Sequence, residues 1–207
     1  MSEELKFDIA GGTSIRLLTA GKSCDKNIVV NAIGGSDTDA ALESIWKVVA
    51  ERRTMTTAVV PDSVTRIGFH AFASCTALSS VRLSANLIEI SPYAFYCCYA
   101  LRSISLPATL ETIGTQAFDM ADLTALTIPI NVKTIGTKAF SNCKNLTSVT
   151  FRGKPESIAS NAFSDCGNLT YMKVPWDRGE VAGAPWGATN PNLAIWYNNG
   201  SLGEEDL

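Results

Sequence analysis

Apolar residues recur at fixed places along most of this chain. Leu78, Leu101, Leu123, Leu146 and Leu169 each open a Leu-x-x-apolar-x-apolar run: LSSVRL, LRSISL, LTALTI, LTSVTF and LTYMKV. Alternation over so short a run predicts a strand with one face turned inward. Pro61, Pro107, Pro129 and Pro175 follow such runs, and proline ends ladder pairing while holding its predecessor extended. Next come Val64, Leu87, Leu110 and Val132, with Pro155 in the fifth place, then Ile67, Ile90, Ile113, Ile135 and Ile158. An Ala-Phe pair follows, its phenylalanines at Phe72, Phe95, Phe118, Phe140 and Phe163, spaced by 23, 23, 22 and 23 residues. The interval of 22 arises because AFDMADL is one residue shorter than AFASCTAL. Three residues after each Phe stand Cys75, Cys98, Ala121, Cys143 and Cys166.

The segment from Val or Leu through Ala-Phe is expected to return the chain over the core as a turn and a short helix. One such unit cannot bury its own apolar face, whereas a stack of them can. The pattern therefore predicts an α/β repeat: a solenoid of five coils of 22–23 residues, spanning residues 54–175. Strands about 4.8 Å apart would make it roughly 24 Å long.

The flanks differ. Residues 1–35 alternate apolar and polar around glycines, and KFDI, SIRLLTA and NIVVNAI read as three short strands. Residues 36–53 read as an amphipathic helix with an N-cap pair at Ser36 and Asp39 and an apolar stripe of Leu42, Ile45, Trp46 and Val49. Such a helix suits either a cap over the open first coil or a self-association element, for instance of a trimer. Residues 176–201, with Trp176, Trp186 and Trp196, read as a C-terminal cap; residues 202–207 read as an acidic tail.

Composition narrows the chemistry. The 207 residues are 46% hydrophobic and 18% charged with a net charge of -3, which fits a folded chain and excludes a disordered one. An acidic pI near 5.2 and the lack of a basic cluster argue against a nucleic-acid partner. No apolar stretch approaches the length of a membrane span, and the N-terminus MSEELKFDIAGG has no secretory-signal pattern. A single histidine argues against His-based catalysis and multi-His metal sites. Gly21-Lys22-Ser23 lacks the upstream glycine of a phosphate loop, Arg16 standing in its place. Ser44-x-x-Lys47 lacks the companion motifs of acyl-transfer enzymes. Four of the six cysteines share one repeat position and read as a buried column of small side chains; Cys-x-x-Cys pairs for zinc are absent. No catalytic residue, cofactor or metal site is expected.

The repeats resemble the BspA-like leucine-rich repeats. VPDSVTRIGFHAFASCTALSSVRL matches that unit at nearly every marked position, and the likeness covers about residues 57–175. Ala121 in place of Cys, Ser91 and Ala159 in place of Gly, and the RGKPES stretch depart from it, so irregularity is expected in the third and fifth units. TAGKSCDKNIVVNAIG is similar to a segment of phage and prophage tail proteins of Gram-positive bacteria, and VPWDRGEVAGAPWGATN to the ends of phage-encoded proteins with these repeats. These resemblances imply a non-enzymatic virion protein, tail- or fibre-associated, made in the bacterial cytoplasm. It would contact other tail proteins or a protein or glycan of the bacterial surface. The wider family implies a bacterial cell-surface adhesin as the alternative, and an intracellular scaffold is a third.

Function then rests on surface residues. One edge gathers Phe69, His70, Tyr93, Tyr96 and Tyr99 on two neighbouring coils, where they can stack on glycan rings or anchor a protein contact. Packing of Tyr96 or Tyr99 against the next coil is the other reading. The outward strand positions carry a Ser/Thr ladder with Arg82, Tyr171 and Lys173, a soluble sheet face or a display of hydroxyls for a sugar polymer.

Overall fold

A computed structural model of the chain describes residues 53–60, 62 and 64–198 in full, and residues 14–19 and 27–33 by their backbone. The expected helix with Leu42, Ile45, Trp46 and Val49, the KFDI strand, Cys24 and the acidic tail lie outside the described residues.

The repeats build a solenoid with two parallel sheets. The Leu-x-x-apolar-x-apolar runs supply one face, in strands β3 (Thr57–Val59), β5 (Ser80–Arg82), β8 (Ala125–Ile128), β10 (Ser148–Phe151) and β12 (Tyr171–Lys173). The Ile positions supply the other, in two-residue strands β4 (Arg66–Ile67), β6 (Glu89–Ile90), β7 (Thr112–Ile113), β9 (Thr134–Ile135) and β11 (Ser157–Ile158). Apart from β5, each strand pairs with its equivalent one coil on wherever the next coil supplies one, as Ile67 with Ile90 and Val149 with Met172.

Inside, the five phenylalanines form a continuous column. Successive rings stack with centroids 5.0, 5.0, 5.3 and 5.3 Å apart and planes within 9° of parallel. The thiols of Cys98, Cys143 and Cys166 each donate to the carbonyl of the Phe one coil earlier, at 3.2, 3.3 and 3.0 Å. The cysteine column is thus buried, as its repeat position suggested, and it carries hydrogen bonds of its own.

The returning segments are not helical. Among the described residues the chain contains no helix, and each return is two tight turns about the Phe. Residues two before and two after the Phe hold φ of +51° to +62°: His70 and Ser74, Tyr93 and Cys97, Gln116 and Met120, Lys138 and Asn142. A left-handed residue every fourth position cannot continue an α-helix. Amides at these positions donate to the next coil instead, as Tyr93 to the Thr115 carbonyl at 2.9 Å and Met120 to that of Ser141 at 2.9 Å. Inter-coil bonding holds ordinary side chains in a conformation that otherwise favours glycine.

Both ends extend the expected stack of five coils. After Pro175 the register continues: β13 (Ala194–Trp196) pairs with β12 at Tyr171↔Ala194 and Met172↔Ile195. The Phe163 amide donates to the Trp186 carbonyl at 3.0 Å, as Phe140 does to Ala162. Buried Trp176 and Trp186 close the column against Phe151, whose ring lies 5.1 and 6.0 Å from theirs. At the other end β1 (Ser14–Thr19) and β2 (Asn27–Ile33) pair antiparallel, and β2 adds to β3 in parallel. The edge of the first coil is thereby covered by a strand.

One rung is missing. LRSISL was expected to form a strand, yet Ser103–Leu106 does not pair, and the long face splits into β1-β2-β3-β5 and β13-β12-β10-β8. The irregularity falls in the second unit, next to the coil that is one residue short, while the fifth unit keeps its β11 pairing. The serines at both outward positions of this run favour a strand weakly.

Two substitutions test this account. Phe118→Ala should cost about 3–5 kcal/mol of unfolding free energy in urea titration, because it opens a cavity in the middle of the column. Lys138→Gly should instead gain up to about 1 kcal/mol, since the residue sits at φ +54° with its side chain outside the core.

Candidate binding surface

The left-handed positions do more than turn the chain. In the first four returns they sit at the apex and carry whatever side chain the sequence supplies: His70 and Tyr93 in the first two coils, Gln116 and Lys138 in the next two. Equivalent positions lie one strand spacing apart, so two aromatic rings there must meet face to face. His70 and Tyr93 stack with centroids 4.8 Å apart and planes 3° from parallel. Phe69 meets both edge-on, at 4.2 and 5.5 Å, and Tyr96 meets Tyr93 edge-on at 5.8 Å. Phe69 remains 38% exposed.

Tyr99 extends this ridge through sulfur. Its hydroxyl donates to Cys97 Sγ at 3.2 Å and lies 3.8 Å from Met120 Sδ, itself 3.7 Å from Cys97 Sγ. The ring of Tyr99 is still 53% exposed. Donation to Cys97, with some burial, pushes the Tyr99 phenol up to about 12 from 10.0. Tyr96 is raised in the same direction, again first by hydrogen bonding to Cys97. The five aromatic residues picked from sequence therefore form one cluster, joined by Cys97 and Met120, which sequence reasoning left out. The signal for Met120 was its place one repeat after Cys97.

Beneath the ridge a polar brace is buried. Asp119 accepts from Gln116 Nε2 at 2.7 Å and Asn142 Nδ2 at 3.1 Å, and the Cys97 amide donates to its carbonyl at 3.0 Å. The brace thus adjoins the ridge through Cys97, and the ridge can offer π faces and hydroxyl tips to apolar or ring-bearing groups. Among the described residues no cluster of three or more His, Cys, Asp or Glu is arranged to hold a metal ion.

The strand-face candidates are elsewhere. Arg82 is exposed on β5, 3.8 Å from Asp62, while Tyr171 and Lys173 lie on β12, where Tyr171 leans on Trp196 at 6.5 Å. Four strand steps of about 4.8 Å separate Arg82 from that pair, so the three residues make no common site, nor do they join the ridge.

Comparison with known proteins agrees with the coil geometry. A family profile described as the BspA type leucine rich repeat region matches residues 47–170 in six copies, and the chain belongs to that family. A leucine-rich repeat protein from Bacteroides ovatus is similar over 94% of this chain, with 26% identity and a TM-score of 0.68. This chain spans 51% of that protein's length. The T. pallidum leucine rich repeat protein is 26% identical, with a TM-score of 0.55 over 79% of this chain and 84% of its own. The pneumococcal vaccine antigen PcpA shares the fold, with 19% identity and a TM-score of 0.53 over 69% of this chain and 36% of its own. No curated protein matches.

Two solution measurements follow. Burial raises the Cys98 thiol well above 9, and hydrogen bonding with Cys166 followed by burial does the same for Cys143. With Cys24→Ser as background, the native protein at pH 8 should resist Ellman's reagent and react fully only in denaturing urea. Tyr99 favours its neutral form in the folded state, so its contribution to stability is complete below pH 10 and is lost as pH rises toward about 12. Tyr99→Phe should flatten that alkaline loss in thermal melts recorded from pH 9 to pH 12.

Proposed function

We propose that this chain works by presenting a surface rather than by catalysis, and that the aromatic ridge is its principal contact. The observation that carries this reading is the cluster of Phe69, His70, Tyr93 and Tyr96, packed ring against ring and joined by Tyr99 through Cys97, still exposed at Phe69 and Tyr99. Pre-ordered aromatic side chains lose little entropy on contact and typically dominate binding energy. Their partner in this reading is a protein or glycan of the bacterial envelope, or another virion protein.

The phage-like segments at both ends support a tail- or fibre-associated virion protein, with residues 1–53 attaching or oligomerising it. The repeats are equally compatible with a bacterial cell-surface adhesin that meets host proteins or glycans through the same ridge. Fluorescently labelled full chain separates the two when offered intact Gram-positive cells and, in parallel, immobilised fibronectin and mammalian cell surfaces. Saturable binding to the bacterial cells, weakened about tenfold or more by Tyr93→Ala with Tyr99→Ala, is the expected result. Binding confined to the mammalian surfaces favours the adhesin, and binding that ignores the double substitution removes the ridge from the account.

Oligomerisation has its own test. If residues 36–53 self-associate, light scattering of the full chain gives the mass of a trimer and Leu42→Glu with Ile45→Glu reduces it to a monomer; if they cap the first coil, both are monomers and the double substitution lowers stability instead. A monomeric full chain overturns the trimer. Truncation at Thr54 is a poorer experiment, because it also removes β2 from the edge of β3.

A further inference from the structure

The missing rung leaves a groove on the long sheet face, away from the ridge. Ser103–Leu106 passes between β5 and β8 at the right repeat position, but no hydrogen bond reaches its amides or carbonyls from any described residue. The last contact is the Thr124 amide to the Arg102 carbonyl at 3.0 Å. Beyond it β8 pairs only with β10, leaving its near edge open. Ile104 and Leu106 are only half-buried, whereas their equivalents Leu126, Ile128, Val149 and Phe151 lie in the core. Beside them opens a hollow of about 500 Å³, within the usual range of binding pockets.

Its surroundings define a ligand. Ile104, Leu106 and Leu126 are apolar, Thr127 and Thr150 present hydroxyls, and Ile130, 61% exposed, stands at one wall. Arg152 lines the same end, exposed and without an ion-pair partner among the described residues. No aromatic ring lines the hollow, which disfavours sugar stacking, while unpaired main-chain groups are what an added strand requires.

We propose that this groove docks an extended peptide segment of a partner protein. The peptide lies across the hollow on the outer face, its main chain bonded to the unpaired groups of Ser103–Leu106 and to the Thr127 and Thr150 hydroxyls, with alternate apolar side chains toward Ile104, Leu106 and Ile130. A carboxylate on the peptide pairs with Arg152. Main-chain bonding supplies affinity, and the apolar and charged contacts supply direction and selectivity. The site is independent of the ridge, so either reading can fail alone.

Fluorescence anisotropy of the full chain with fluorescein-labelled Val-Thr-Val-Thr-Val-Asp-amide tests the proposal. Saturable binding is expected, with affinity about three- to fivefold lower in Arg152→Ala. Thr127→Trp, which fills the hollow from an exposed position, should abolish it, and Tyr93→Ala with Tyr99→Ala should leave it unchanged. The same peptide N-methylated at alternate residues keeps its side chains but loses main-chain donors, and should not bind. Equal binding of the methylated peptide overturns the proposal, as does no binding of the unmodified one. Binding of tri-galacturonate instead of the peptide, with the same dependence on Arg152, would make this an anionic-sugar site. Concentration-dependent self-association abolished by Arg152→Ala would make it an interface between copies, which likewise overturns a peptide site.

Discussion

Everything in this solenoid depends on one repeated contact, the stacking of each coil on the next at a fixed spacing near 5 Å. The phenylalanine rings enforce it from inside, since parallel rings 5.0–5.3 Å apart tolerate little change in coil height. The buried thiols enforce it again by reaching back to the previous Phe carbonyl. A coil lifted out of register would leave carbonyls unpaired and a void at the rings, two costs that reinforce each other. The ends matter for the same reason: an open last coil would expose a Phe ring, and two buried tryptophans together with a paired strand prevent that.

That internal uniformity frees the outside to vary. At the apex of the first four returns the backbone is held left-handed by bonds to the next coil, whatever the side chain. His70 and Tyr93 use the freedom to stack in the aromatic ridge, while Gln116 at the equivalent place braces Asp119. The long face illustrates the opposite case. There a local failure of pairing at Ser103–Leu106 turns apolar residues that belong to the core partly outward. A regular scaffold and one defect in it thus generate two different kinds of surface.

Legibility followed from what each feature depends on. The aromatic cluster could be read in advance because residues sharing a repeat position must be neighbours once the coils stack. Phe69, Tyr96 and Tyr99 flank that position closely enough to join it. Cys97 and Met120 were overlooked as members because thiol and thioether are read first as core-filling groups. The groove could not be read at all. LRSISL carries the same alternation as LTSVTF, and its two outward serines are too weak a signal to announce a lost rung.

The sequence by itself determined the period, most of the inward residues and the place where aromatics gather, because each of these is fixed by spacing along the chain, while the family followed from the likeness of its repeat unit. The tertiary structure decided the rest. It replaced the expected short helices by paired turns, since bonds between coils outweigh the cost of left-handed residues that a lone segment would avoid. It carried the register past Pro175, where the repeat residues fade but strand pairing to β12 and the packing of two indoles against Phe151 still hold. It also broke the long sheet at Ser103–Leu106, because a strand exists only where its neighbours' main chains meet it in bonding register, which alternation along one segment does not fix.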